Sequence, residues 1–223
     1  IRGMMIQKEL VYFFKDQSIE IWYNRGGATP FVRIEYIERG LAASDSIIKD
    51  GSHSCFIGND NRFYKLEGTA VSVISSPYEK YIQAMVNFDQ VVGYHFAKEH
   101  LYVWVFPIDG KVLVYDYKFN LWSEDNTWTS GQWGRIPINS YMELNNRQYN
   151  GSYNEDGQIF DWSTDYATDN GDPIRVYRQF AVKPSENGHR RRFNHLQFRL
   201  KRGVATVATP NPKFVWSYRL GRD

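Results

Sequence analysis

The stretch 101-LYVWVFPIDGKVLVYDYKFNLWSE-124 contains three apolar runs that are separated by short groups of turn residues. The runs LYVWVF (101–106) and KVLVYD (111–116) are rich in β-branched and aromatic residues, which are typical of strands. The Asp-Gly pair of 107-PIDG-110 supplies the positive φ angles that a tight hairpin requires. NLWSE (120–124) predicts the next strand, so the stretch as a whole predicts antiparallel strands joined by short turns.

Similar hairpins recur along the chain, and their turns are 15-KDQS-18, 59-NDN-61 and 154-NEDG-157. One acidic turn residue from each of the four hairpins gives a series with spacings of 44, 49 and 47 residues: Asp16, Asp60, Asp109 and Asp156. Repeats of ~40–50 residues that hold three or four strands are typical of propeller blades. We therefore predict an all-β fold with β-propeller-like repeats, and a β-sandwich is the alternative.

One short helix interrupts the strands in 75-SSPYEKYIQAMV-86. Ser76 is a candidate N-cap, Pro77 fits the first helical position, and Glu79 would complete a capping box. Tyr78, Ile82 and Met85 then fall on one face, so we expect this helix to lie on the β-structure.

The composition of the chain changes after about residue 171. We place a domain boundary near 170-NGDP-173, with propeller blades over residues 1–171 and a C-terminal β region over residues 172–223. Strands are predicted in this second region at 174–182, 193–201 and 213–218. Because the chain starts without Met and stops just after a strand-like run, we expect a fragment of a larger propeller with a truncated C-terminal region.

The composition excludes several classes of protein. The 223 residues carry a formal net charge of +2, from 27 basic and 25 acidic residues, so a general nucleic-acid binder is not indicated. Cys55 is the only cysteine, which excludes an internal disulfide and a thiolate-rich metal site. No apolar run approaches the ~20 residues that a membrane-spanning helix needs.

No motif for catalysis or cofactor binding is present. The histidines lack the spacing of a zinc protease, and Cys55 lies in an apolar run that predicts a buried, inert thiol. Several acids fall near turns and could form the carboxylate pair of a glycosidase: Asp116, Glu124, Asp125, Asp156, Asp161 and Asp165. We interpret them as turn and strand-edge residues, with Asp116 as a turn residue, and predict no enzymatic activity and no cofactor.

One basic cluster is the main electrostatic feature of the sequence. It comprises Arg190, Arg191 and Arg192, with Lys201 and Arg202 one predicted strand later. Arginine side chains suit phosphate oxygens or the carboxylates of a partner, so the cluster is a candidate DNA or partner contact. A solvated loop is the alternative.

The order of the segments resembles that of the packaged-DNA stabilisation proteins of short-tailed bacteriophages, the tail hub or head-completion component. The matching segments span most of the chain: 12-YFFKDQSIEIWYNRGG-27, 30-PFVRIEYIERGLAA-43, 54-SCFIGND-60, 73-VISSPYEKYIQ-83, 101-LYVWVFPIDGKVLVYDYKFNLW-122, 193-FNHLQFRLKRG-203 and 214-FVWSY-218. The chain departs from the family pattern after the last Trp-Ser, where Tyr-Arg-Leu-Gly follows, and the family's N-terminal portion has no counterpart.

The resemblance implies a virion structural protein with a β-propeller body, made in the host cytoplasm and located in the phage tail. It would form a homo-oligomeric ring, a hexamer, below the portal and adaptor, and it would join the tail needle and tailspikes and retain the packaged DNA. The alternatives are a carbohydrate-binding or carbohydrate-active propeller, since aromatic-rich sheets also stack on sugars, and a generic scaffold propeller for protein partners. We expect no membrane span in any of these cases.

Overall fold

The computed structural model describes residues 1–51, 53–129, 131–153, 157–163, 166, 168–178 and 215. Within these residues the regular secondary structure is mostly antiparallel β-sheet, which confirms the predicted all-β class. Three four-stranded sheets and one three-stranded sheet follow one another, and each is formed by strands that are consecutive in sequence. This arrangement is propeller-like, as predicted, and we call the four sheets blades 1 to 4.

The bounds of the strands in blades 1 and 2 are β1 Gly3–Gln7, β2 Leu10–Phe14, β3 Ile19–Asn24, β4 Phe31–Ile37, β5 Ile48–Asp50, β6 His53–Ile57, β7 Phe63–Glu67 and β8 Ala70–Val73. Those in blades 3 and 4 are β9 Val92–Phe96, β10 Leu101–Phe106, β11 Lys111–Asp116, β12 Leu121–Glu124, β15 Ile138–Leu144, β16 Arg147–Ser152 and β17 Ile159–Trp162. The remaining strands form two-stranded sheets: β13 Asn126–Thr129 with β14 Gln132–Arg135, and β18 Thr168–Asp169 with β19 Asp172–Pro173.

The predicted repeat is visible in the turns. Asp16, Asp60 and Asp109 each lie between the second and third strands of a blade, and Asp156 lies outside the described residues. In a sheet of consecutive antiparallel strands, the turns after the first and third strands share the opposite end. Each of blades 1 to 3 therefore has an acidic-turn end, and an opposite end where its first and second strands connect.

Hydrophobic clusters join each blade to the next. Phe14 and Ile21 of blade 1 pack with Phe56 of blade 2, while Phe63 of blade 2 packs with Trp104 of blade 3 at a ring-centroid distance of 4.7 Å. A third cluster joins blade 3 to blade 4 through Tyr94, Val103, Val105, Val112, Val114 and Ile138. Because successive strand residues point to opposite faces, blades 2 and 3 each present an apolar residue set to both neighbours.

The predicted helix is present but starts differently. A 3-10 turn at Ser76–Tyr78 leads into α1, Glu79–Ile82, and two further 3-10 turns cover Ser44–Ser46 and Ala97–Glu99. Ile82 and Met85 are buried against the core, as predicted. The capping box is wrong, because neither helical turn has a side-chain cap and Glu79 forms an ion pair with Arg62 instead.

The chain divides into two compact units. The first comprises Ile1–Asn126 and Trp133–Ser163, and the second comprises Thr127–Gln132 and Thr164–Asp223. In the second unit, Thr127 Oγ1 donates to Asp169 Oδ2 at 2.5 Å. The strand predicted over 174–182 is wrong for its described part, since residues 174–178 are not in a strand. The other two C-terminal strands lie outside the described residues apart from Val215, so this region and its boundary stay predictions.

Candidate functional site

The basic cluster predicted from the sequence lies outside the described residues. This holds for all of its members, Arg190, Arg191, Arg192, Lys201 and Arg202. A contact between them and DNA or a partner therefore stays a prediction.

Asp116 is a turn residue, as predicted. It ends β11, and its Oδ1 accepts hydrogen bonds from the backbone N–H groups of Lys118 at 2.9 Å and Phe119 at 3.0 Å. An Asp side chain that satisfies two backbone donors just after it stabilises the turn that leads into the next strand.

Other acids that were candidates for catalysis also have structural partners. Glu124 accepts from Lys111 Nζ at 2.6 Å and from the Tyr81 hydroxyl. Burial opposes ionisation of Glu124, but these hydrogen bonds outweigh it and lower the pKa of the carboxyl. Asp161 Oδ2 lies 3.8 Å from Arg147 Nη2. Asp156 and Asp165 lie outside the described residues, so the absence of catalysis stays a prediction.

Cys55 is fully buried in β6, as its apolar surroundings predicted. Burial raises the pKa of the thiol, so Cys55 is held as the neutral, unreactive form.

A group of imidazoles and phenols lies at the end opposite to the acidic turns, where blades 2 and 3 meet. We call it the imidazole cluster, and it comprises Asp50, His53, His95, His100, Tyr102 and Tyr117. The adjoining ends of β5 and β6 contribute Asp50 and His53, and blade 3 contributes the other members. The sequence pattern did not predict this cluster, because its histidines come from two different repeats.

Two phenol hydroxyls bridge the ionisable groups of the imidazole cluster. The Tyr102 hydroxyl donates to Asp50 Oδ2 at 2.9 Å and also contacts His53 Nε2. The Tyr117 hydroxyl lies 3.2 Å from His95 Nε2 and 3.2 Å from His100 Nδ1. The two groups approach each other at Asp50, whose Oδ2 lies 3.9 Å from His95 Nε2.

Burial sets the charge state of the imidazole cluster. It lowers the pKa of His53 and of His95, so both rings are neutral at pH 7. It also raises the pKa of Tyr102, which stays a hydrogen-bond donor. Among the residues that the structure describes, no group of three His, Cys, Asp or Glu side chains is placed to hold a metal ion.

Blade 1 has one apolar face that none of the other described blades covers, and we call it the blade 1 exposed face. Between β1 and β2, Met4 pairs with Phe13 and Ile6 pairs with Val11. Between β2 and β3, Val11 pairs with Trp22. Met4 is 61% exposed and Ile6 is 53% exposed. Glu20 lies on the same face and accepts from Lys15 at 2.8 Å and from Arg33 at 3.3 Å.

Blade 4 has a corresponding surface at the other end of the series, the blade 4 exposed face. Met142 of β15 pairs with Tyr149 of β16, and Tyr149 pairs with Asp161 of β17. The large apolar residues Met142, Leu144 and Ile159 are exposed. Exposed apolar areas of this kind typically mark interfaces with other proteins or ligands.

A shallow groove runs along the first strands of blades 1 to 3. It is lined by Gly3, Met4, Met5, Ile6, Ser44, Asp45, Ile47, Lys49, Val92 and Gly93. Among these lining residues Asp45 is the single carboxylate, whereas a glycosidase needs two. This groove therefore lacks the carboxylate pair of a glycosidase, and a carbohydrate-related function stays a prediction.

Comparisons with known proteins add little to this description. No protein-family profile matches the chain, and no curated protein matches it. Among solved structures, the computationally designed Ika4 protein is similar at 15% sequence identity and a TM-score of 0.42, over 73% of this chain and 89% of that chain. Within the described residues, the structure contains no helix that is long and apolar enough to cross a membrane.

Proposed function

We propose that this chain is a non-enzymatic structural protein that works by assembly, as the tail hub of a short-tailed bacteriophage. The observation that supports assembly is the pair of apolar exposed faces, on blades 1 and 4. The hub assignment rests on the resemblance of the ordered segments to the packaged-DNA stabilisation proteins.

The interfaces inside the chain explain why the exposed faces favour partners. The opposite face of blade 1 carries Tyr12 and Phe14, which are buried at 1% and 0% exposure by blade 2. The exposed face carries residues of the same kind, including Met4, Ile6 and Trp22. Covering apolar surface contributes about 25 cal/mol per Å², so a sheet face of this composition is stabilised by a partner.

In the proposed assembly, copies of the chain form a homo-oligomeric ring, taken as a hexamer from the resemblance. In a cyclic ring each subunit uses two different patches, and the blade 1 and blade 4 exposed faces are two such patches. The ring would contact the portal-adaptor ring, the tail needle and the tailspikes, and it would keep the packaged DNA in the virion.

The hub proposal is tested by deleting the gene from its source genome and counting the genomes that particles protect from nuclease. We expect particles that lose their DNA, and we expect the wild-type gene to restore retention. The double variant Met4→Lys with Ile6→Lys should fail to restore it, because two charges on the blade 1 exposed face oppose burial.

The matched control is Val86→Lys. Val86 is 80% exposed and follows the short helix, so it does not belong to either exposed face. This variant should restore DNA retention fully. DNA-filled particles from the deletion, or a source genome without portal and adaptor genes, would contradict the hub proposal.

A further inference from the structure

The imidazole cluster connects blades 2 and 3 through side chains alone. His53 Nε2 lies 3.5 Å from Asp50 Oδ2, and His95 Nε2 lies 3.9 Å from the same oxygen. The side chains of His53 and His95 are 12% and 16% exposed, so both rings are largely removed from water. Asp50 is also anchored from blade 1, because Gln7 Nε2 donates to its backbone oxygen at 2.9 Å.

The two buried rings share one close carboxylate. His53 faces Lys65 and Glu67 of β7, which pair with each other at 2.5 Å, together with Asp50. His95 faces Asp50, His53, Glu143 of β15 and His100. Asp50 is therefore the carboxylate within 4 Å of both rings, and it already accepts from Tyr102.

We infer that the imidazole cluster is a proton-binding site that loosens the junction between blades 2 and 3 in mildly acidic solution. When His95 is neutral, its Nε2 atom can accept a hydrogen bond from the Tyr117 hydroxyl. A protonated ring is a donor at both nitrogens, so it loses this acceptor role. Protonation of both rings also puts two cations next to one carboxylate.

The direction of the pH dependence follows from the ionisation of the two rings. Burial lowers the pKa of His53 and His95 in the folded chain. In the unfolded chain a histidine has a pKa of about 6.5. The stabilisation from the neutral rings is therefore fully present above about pH 6.5 and is lost as the pH falls below that value, because the unfolded chain then binds more protons.

The test compares the thermal unfolding temperature at about pH 7.5 and about pH 5, on either side of the ordinary histidine pKa, for three forms of the chain. We expect the unfolding temperature of the wild type to fall clearly at the lower pH. The unfolding temperature of the double variant His53→Gln with His95→Gln should fall less. The matched control is the double variant His189→Gln with His195→Gln, since neither histidine belongs to the imidazole cluster. The unfolding temperature of the control should fall as far as that of the wild type.

An equal fall of the unfolding temperature in the wild type and the double variant would overturn the inference. A second measurement does not require any variant to fold: titration of the histidine ring carbons by NMR on the isotope-labelled wild type. Midpoints for His53 and His95 below about 6.5 support the inference, and midpoints at or above that value overturn it. Either result leaves the assembly proposal unaffected, because the cluster belongs to neither exposed face.

Discussion

Blades 3 and 4 are built from consecutive antiparallel strands in the same order, yet they differ in burial. In blade 3, β10 and β11 are buried along almost their full lengths, because one hydrophobic cluster covers each face of the sheet. In blade 4, β15 buries Ile138 at its start, while Met142 and Leu144 are exposed. The comparison shows that an uninterrupted apolar strand indicates a sheet with two neighbours, whereas an alternating strand indicates one neighbour.

Truncating an aromatic side chain in β10 should give the largest effect. Phe106 is 0% exposed and packs edge-on against Phe88 at 5.5 Å, so Phe106→Ala should cost about 3–5 kcal/mol of unfolding free energy. The control is Phe119→Ala in the turn after β11, where the ring is 64% exposed and the cost should stay within about 0.5 kcal/mol. Urea unfolding measures both, and equal costs would contradict the two-sided burial of blade 3.

Adding a methyl group between blades 2 and 3 should have an intermediate effect. A Cβ at Gly93 of β9 would lie 2.8 Å from the backbone oxygen of Ser46, which cannot move easily. Gly93→Ala should therefore cost about 1–3 kcal/mol in the same urea experiment. Gly134→Ala is the control, since a Cβ there meets no atom within 4 Å. A neutral Gly93→Ala would indicate that the blades are packed less closely than described.

Replacing the turn acid of blade 3 should have the smallest effect of the three. Asp116→Ala removes two hydrogen bonds to backbone N–H groups at a partly exposed turn, so a cost of about 1 kcal/mol is expected. Asp116→Asn keeps an acceptor oxygen and should retain most of that stability. Thermal unfolding of both variants checks this, and equal losses would show that the negative charge matters more than the turn hydrogen bonds.

The sequence predicted the central hairpin of each blade, and in blades 2 to 4 the Asp-Gly and Asn-rich turns between apolar runs are strong local signals. It did not predict the first strands. β5 has three residues, and β9 contains Gly93 and His95 within five residues, so neither shows a clear strand pattern. These strands are specified by contacts with neighbouring blades, which local patterns do not contain.

The imidazole cluster was missed for a related reason. His53 begins β6, and His100 lies just before β10, which is the equivalent strand in the next blade. Aligning the repeats on their acidic turns would have placed both residues at the connection between the first and second strands. The buried neighbours of His53 and His95 could not be predicted, because Tyr102 reaches His53 from β10 and Tyr117 reaches His95 from the turn after β11.

The most direct test of the account is the mass of the purified chain, measured by light scattering across a range of concentrations. A single chain has a mass of 26.2 kDa, and we predict a larger species that the double variant Met142→Lys with Leu144→Lys reduces to this value. The variant should keep the far-ultraviolet circular dichroism of the wild type, because both residues are exposed. A wild-type chain of 26.2 kDa at every concentration, or an assembly that the variant leaves intact, would contradict the claim that the exposed faces of the blades are interfaces.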